Sequence, residues 1–148
     1  AVVAIGGVSA PASAKSKGYV FKYKGVSVTM NGAAKKLIKK AGKPSKKTVK
    51  KSCAYKGKDR TYTYKDFQLK TYSKTNNGAE YVSEIRFRSN KAVTKEGIRI
   101  GSSLKDVTKK YGKAKARFGV YTFKKGSSKL QIMLNGNKVS AIRYFASK

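Results

Sequence analysis

Few residue types in this chain could carry covalent or acid–base chemistry, and their spacing excludes most of it. The 148 residues include no histidine, one cysteine (Cys53) and six carboxylates against 36 lysines and arginines. Without histidine, Ser-His-Asp and Cys-His arrangements are excluded, as are zinc sites of the usual ligand sets. The carboxylates are scattered, so neither an acid/base pair nor a calcium loop can be read from them. No Walker or dinucleotide glycine pattern occurs. Ser102-Ser103-Leu104-Lys105 holds a Ser-x-x-Lys at a helix start, but the companion Ser-Asp-Asn and Lys-Thr-Gly motifs are missing. Helix capping accounts for both serines. What remains is noncovalent binding, with no enzymatic activity, cofactor or metal expected.

The charge says what kind of partner such binding would favour. The formal balance is +30, and every charged residue follows Ala14. A surface of this sign attracts polyanions, and this bears on partners and not on fold. Only Arg60, Arg86, Arg88, Arg99, Arg117 and Arg143 are arginines. Lysine is a hydrated point charge, so a lysine-dominated surface implies diffuse, salt-sensitive attraction and not bidentate reading. Tyr19, Tyr23, Tyr55, Tyr62, Tyr64 and Tyr72 interleave with lysines, as in grooves that hold single-stranded nucleic acid by stacking. Tyrosines are also ordinary strand formers that point into a core. Cys53 has no partner for an internal disulfide. It reads as a packed small hydrophobe or partly buried thiol, the alternative being an intermolecular or redox role.

The elements that must position these residues come from a repeat. Lys39-Lys40-Ala41-Gly42-Lys43-Pro44 returns as Lys109-Lys110-Tyr111-Gly112-Lys113-Ala114, and Tyr62-Thr63-Tyr64 as Tyr121-Thr122-Phe123. Val82-Ser83-Glu84-Ile85-Arg86-Phe87 returns as Val139-Ser140-Ala141-Ile142-Arg143-Tyr144. Three matches in one order indicate a tandem pair of one unit, residues 25–96 and 97–148, after a lead-in at 15–24; 15–148 forms one compact tandem domain. The fold expected is α+β: each unit a short strand (26–28, 98–100), a helix, and a three-stranded antiparallel meander, with the helices packed on one face of the sheet. Asn31 and Ser103 serve as helix caps, the latter with Asp106 three residues on. Ala34, Leu37, Ile38 and Ala41 make one apolar stripe, and Leu104, Val107 and Tyr111 the other. Strands are expected at 61–64, 67–72, 81–88, 120–123, 129–134 and 138–145, with Asn-Gly turns among the punctuation. The first unit is longer, largely through a lysine-rich stretch at 45–58 that holds Cys53.

Alternation then assigns faces. Ser83, Ile85, Phe87, Ser140, Ile142 and Tyr144 fall on the core side, joined by Leu130, Ile132 and Leu134. The opposite face carries Gln68, Lys70, Glu84, Arg86, Arg88, Gln131, Met133, Arg143 and Phe145. A sheet covered on one side leaves the other in water, and this basic face is the candidate binding surface. Residues 1–14 are apolar and uncharged up to Ser13-Ala14, with a small-residue Ala12-x-Ala14 end. They read as the remnant of a secretory signal cleaved after Ala14, and no later segment is apolar enough to span a bilayer.

The strand, the capped helix ending in Tyr111-Gly112-Lys113, and the meander closing on Val139 to Tyr144 resemble the repeat of the β-lactamase-inhibitor-protein and SmpA/OmlA-like superfamily. Gly97-Ile98-Arg99-Ile100-Gly101-Ser102-Ser103 belongs to the same likeness. The first unit, through Ser52-Cys53-Ala54-Tyr55-Lys56-Gly57-Lys58-Asp59, is similar to a group of exported proteins and lipoproteins of Gram-positive anaerobes. The resemblance implies binding and not catalysis. Inhibitor members grip an enzyme with the sheet face, and lipoprotein members help assemble outer-membrane proteins. The function expected is a secreted, monomeric, non-enzymatic binding protein. Its basic surface would associate with anionic cell-envelope or cell-wall polymer, and its sheet face would meet a protein or polyanion. The alternatives are an inhibitor of a secreted or wall-acting enzyme and a nonspecific nucleic-acid binder.

Overall fold

The computed structural model describes residues 18–53 and 55–146. The expected signal remnant, residues 1–14, lies outside them. The chain runs β1 (Val20–Tyr23), β2 (Val26–Thr29), α1 (Lys35–Ala41), β3 (Lys46–Lys51), β4 (Lys58–Thr63), β5 (Phe67–Ser73), β6 (Glu80–Phe87), α2 (Leu104–Tyr111), β7 (Val120–Lys125), β8 (Ser128–Asn135) and β9 (Lys138–Ala146). Seven strands form one antiparallel sheet in the order β3-β4-β5-β6-β9-β8-β7. The other two pair as a separate hairpin. Its turn is Lys24-Gly25, both at positive φ (48° and 86°), the backbone that closes a two-residue hairpin without splaying its strands.

The α+β expectation is therefore corrected: the protein is mostly β. Among the described residues there are two helices, of seven and eight residues, and each buries a single side chain, Leu37 in α1 and Val107 in α2. Two such turns cannot cover a seven-stranded sheet. The β1–β2 hairpin supplies much of what they leave, through Phe21, Val28 and the adjoining Tyr19 and Met30, all buried. The expected strand at 98–100 does not form, although Ile98 is buried there. The stretch at 45–58 instead supplies a fourth strand to the first half, β3. All six β3 residues are exposed and four are lysines, so the bare strand edge is charged, which discourages pairing with other chains.

The core lies on one face of the sheet. Tyr62, Phe67, Leu69, Ile85 and Phe87 from the first half meet Leu130, Ile132, Ile142 and Tyr144 from the second. Burying apolar area at about 25 cal/mol per Å² is the dominant favourable term. Here rings supply much of it: Phe21 sits 5.4 Å from Phe67, 5.5 Å from Phe87 and 6.3 Å from Tyr144.

Two β-bulges re-aim side chains that strict alternation sends inward. Against β5, Glu84 pairs with Lys70 but Val82 with Thr71, so Ser83 is the extra residue. Against β8, Ala141 pairs with Met133 but Val139 with Leu134, so Ser140 is extra. The two serines hold the same position of the repeat. A bulge inserts one residue and flips the pleat beyond it, so Val82 and Val139 turn inward, at 0% and 2% exposure. Ser140 is exposed and Ser83 borders a cleft on the open face. Both had been expected on the core side.

At the helix starts, Ser103 Oγ accepts from the Asp106 N–H at 3.1 Å. Asn31 does not cap α1, whose N-cap is Ala34. Asn31 sits at φ 67° and its Oδ1 accepts from the Tyr72 hydroxyl at 3.0 Å.

Buried and half-buried phenols make stability depend on alkaline pH. Burial, and then the hydrogen bond its hydroxyl donates to Glu80, pushes Tyr62 well above the usual value of about 10. Burial likewise raises Tyr111, whose hydroxyl donates to Glu96 at 2.7 Å, and Tyr144. A group held protonated in the fold but free to ionise when unfolded leaves stability intact below about pH 10 and erodes it above. The expected result is cooperative alkaline unfolding above about pH 10, with phenolate absorbance from these three appearing together with loss of circular dichroism. Complete titration of the ten tyrosines with the fold intact would contradict the burial.

Candidate functional site

The sheet face opposite the core carries the residues assigned to it from sequence, and strand register brings most of them together. Lys70 lies opposite Glu84 and Gln68 opposite Arg86. Arg86 faces Arg143, and Glu84 faces Phe145, across the β6–β9 pair. Gln131 faces Arg143, and Met133 faces Ala141, across β8–β9. Apart from Ala141, these are eight of the nine residues assigned to the face, and they form one contiguous patch over four neighbouring strands, β5, β6, β9 and β8. Arg88, just past β6, is diverted: its Nη1 donates to the Tyr64 carbonyl and its N–H to that of Asp66. It pins the strand end and stays outside the patch.

Arg86 and Arg143 are the same position of the repeat and also each other's cross-strand partner. A local two-fold axis therefore passes between them, and two like charges stand directly opposed, an arrangement that destabilises a sheet. Glu84 offsets this. One of its oxygens, Oε2, lies 3.2 Å from Arg86 Nη2 and 3.2 Å from Arg143 Nε. The Arg86 contact is an aligned hydrogen bond, whereas Arg143 Nε is near the carboxylate but out of alignment for one. These are the two ion pairs among the described residues. Arg143 also donates from Nη1 to Gln131 Oε1 at 3.2 Å and lies 4.5 Å from the centroid of the Phe145 ring. The Glu84 side chain is 11% exposed, Arg143 36% and Arg86 51%. The seam thus presents one surplus positive charge on held, outward-facing guanidinium groups.

Sequence reasoning missed the wall beside this patch. The 45–58 stretch places Lys46, Thr48 and Lys50 in register with Thr63, Thr61 and Asp59, extending the open face by one strand. Beyond it Tyr55 stacks on Tyr72, centroids 5.0 Å apart and planes 14° apart. Burial, followed by the neighbouring Tyr55, raises the Tyr72 phenol above its usual value. Between this wall and Arg143 lies a cleft of about 590 Å³. The available signal was the length difference between the two halves, which says that something is added but not that it adds a strand.

Other expectations are corrected. Cys53 is exposed, neither packed nor partly buried. Tyr19, Tyr62 and Tyr64 are buried in the core, so the tyrosine–lysine interleaving does not make a stacking ladder. Tyr55 and Tyr72 alone of those six border the cleft. Ser102 Oγ accepts from the Arg99 N–H at 3.0 Å, a turn contact. Among the described residues no three His, Cys, Asp or Glu side chains converge to hold a metal. Among the same residues no helix is long and apolar enough to cross a membrane. No protein-family model, curated protein or solved structure matches the chain.

Proposed function

We propose that this chain is a secreted, non-enzymatic binding protein whose open sheet face engages an anionic polymer of the cell envelope. The observation that carries this reading is the seam. Two guanidinium groups share one carboxylate, and the surrounding Lys46, Lys50 and Lys70 have no ion-pair partner among the described residues. A fixed arginine pair gives the diffuse lysine field a place to focus, because hydrogen-bonded, pre-oriented donors lose less freedom on binding than mobile lysines.

Net charge alone would also draw polyanions, so the test separates charge from place. Lys70→Glu with Arg86→Glu changes the charge of the face as much as Lys39→Glu with Lys109→Glu changes that of the helices. Binding to isolated wall polymer is expected to weaken about tenfold or more for the face pair and only about twofold for the helix pair. It should also fall steeply with added salt, as screening shortens to about 8 Å at physiological ionic strength. Equal losses for the two pairs would show that no particular face binds, and binding indifferent to salt would remove the electrostatic basis.

One observation favours a second reading, an inhibitor of a secreted or wall-acting enzyme. Met133 is 45% exposed beside Arg86 and Gln131, at a hollow of about 180 Å³. An apolar side chain ringed by polar groups is a usual centre for a protein interface. That reading requires Met133→Glu to abolish capture of a protein partner at high salt.

A further inference from the structure

Two of the differences between the halves of the sheet border the same cleft. One is the added stretch of the first half, which contributes Lys50 and Tyr55. The other is Glu84, which is Ala141 at the matching position of the second half. The cleft of about 590 Å³ runs between them and ends at Arg143 and Phe145. We propose that it is a subsite for an acidic sugar unit, a polyhydroxylated ring bearing a carboxylate or phosphate, within a longer anionic glycan. The proposal rests on the polyanion reading above and narrows it to a ligand chemistry.

Three features of the cleft support that chemistry together. The stacked Tyr55–Tyr72 pair offers a flat apolar surface, with Tyr55 42% exposed. A ring with apolar faces and polar edges fits against such a surface. Lys70 and Lys50 border the same space without an ion-pair partner among the described residues, and Arg143 is held by Gln131 and Phe145 at its end. These cations suit an anionic substituent. Asp59 also lines the cleft, and its carboxylate has no hydrogen bond among the described residues. An ionised carboxylate only accepts hydrogen bonds, so it suits a ligand rich in hydroxyl donors and repels a bare string of phosphates. Successive bases of a single strand need successive stacking platforms, and one tyrosine pair supplies a single platform.

The test uses the full chain and calorimetric titration with five probes. They are oligogalacturonate, a phosphate-bearing oligomannoside, neutral maltohexaose, linear polyphosphate of matched charge, and oligothymidylate. At least one acidic saccharide should bind while maltohexaose does not, and the tighter of the two acidic ones tells carboxylate from phosphate. Tyr55→Ala should weaken saccharide binding about fivefold or more and leave polyphosphate binding within about twofold. Lys50→Ala, at an exposed position of the edge strand, is a second variant and should weaken the same saccharides, and Lys109→Ala on α2 is the control. If polyphosphate binds as well as the saccharides and Tyr55→Ala changes nothing, the sugar subsite is overturned while the polyanion reading stands. Tighter, Tyr55-dependent binding of oligothymidylate overturns it in favour of nucleic acid. Silence from all five probes removes both readings.

Discussion

Phe21→Ala is expected to destabilise the protein by about 3–5 kcal/mol, the usual range for emptying a buried phenylalanine site. Phe21 is 1% exposed and contacts rings from both halves of the sheet, Phe67 and Phe87 from the first and Tyr144 from the second. It belongs to neither meander. It arrives from the β1–β2 hairpin, so its removal also weakens the docking of the element that covers the core face. Against a typical total of 5–15 kcal/mol, such a loss is severe. Urea unfolding followed by circular dichroism measures it directly. A midpoint shift equivalent to less than about 1 kcal/mol would mean that the hairpin contributes little cover.

Glu84→Ala is expected to move stability and anion binding in opposite directions. It leaves Arg86 and Arg143 opposed across β6–β9 with no carboxylate between them. Breaking a fully buried pair costs about 3–5 kcal/mol, but both guanidinium groups are partly exposed, so about 1–3 kcal/mol is expected. Added salt should recover part of the loss by screening the arginine pair. The same change raises the charge of the seam by one unit, so binding of anionic polymer at low salt should tighten. A thermal melt at two salt concentrations and a binding titration on the same sample test both halves. Adding Arg143→Ala should restore much of the stability, because it removes the repulsion along with its screen. If Glu84→Ala binds polymer more weakly, the carboxylate is part of the binding surface and not its counterweight.

Local signals made the strands of the sheet legible. Alternation placed six of the seven close to their ends, because each such strand turns successive side chains toward and away from the core and most of them bury one of the two sets. The partners on the open face followed from the same parity. The seventh strand, β3, escaped because all six of its residues are exposed: an edge strand with lysines on both sides has no alternation to display. The bulges at Ser83 and Ser140 escaped for a related reason. Parity counting assumes an unbroken pleat, and Val-Ser-Glu-Ile carries no mark of the extra residue. The expected balance of helix and strand failed for a third reason. Lysine-rich helical patterns such as 35–41 are conspicuous in sequence, yet their buried contribution is a single leucine. Val20-Phe21-Lys22-Tyr23 is less conspicuous and places more weight in the core. In the site, the pairing of Arg86 with Arg143 could have been suspected from the repeat, but their adjacency depended on which strands the two meanders share.

The β6–β9 seam has one more consequence, and it concerns arithmetic of charge. Two identical separate subunits meeting along this strand would bring the position of Glu84 twice or not at all. Their seam would then hold two arginines with two glutamates, a neutral site, or two arginines alone, a doubly charged and self-repelling one. An odd count is forbidden to them by symmetry. Joining both copies in one polypeptide lifts that restriction: glutamate stands at 84 and alanine at 141, and the seam holds the intermediate value, charged enough to attract and screened enough to stay closed.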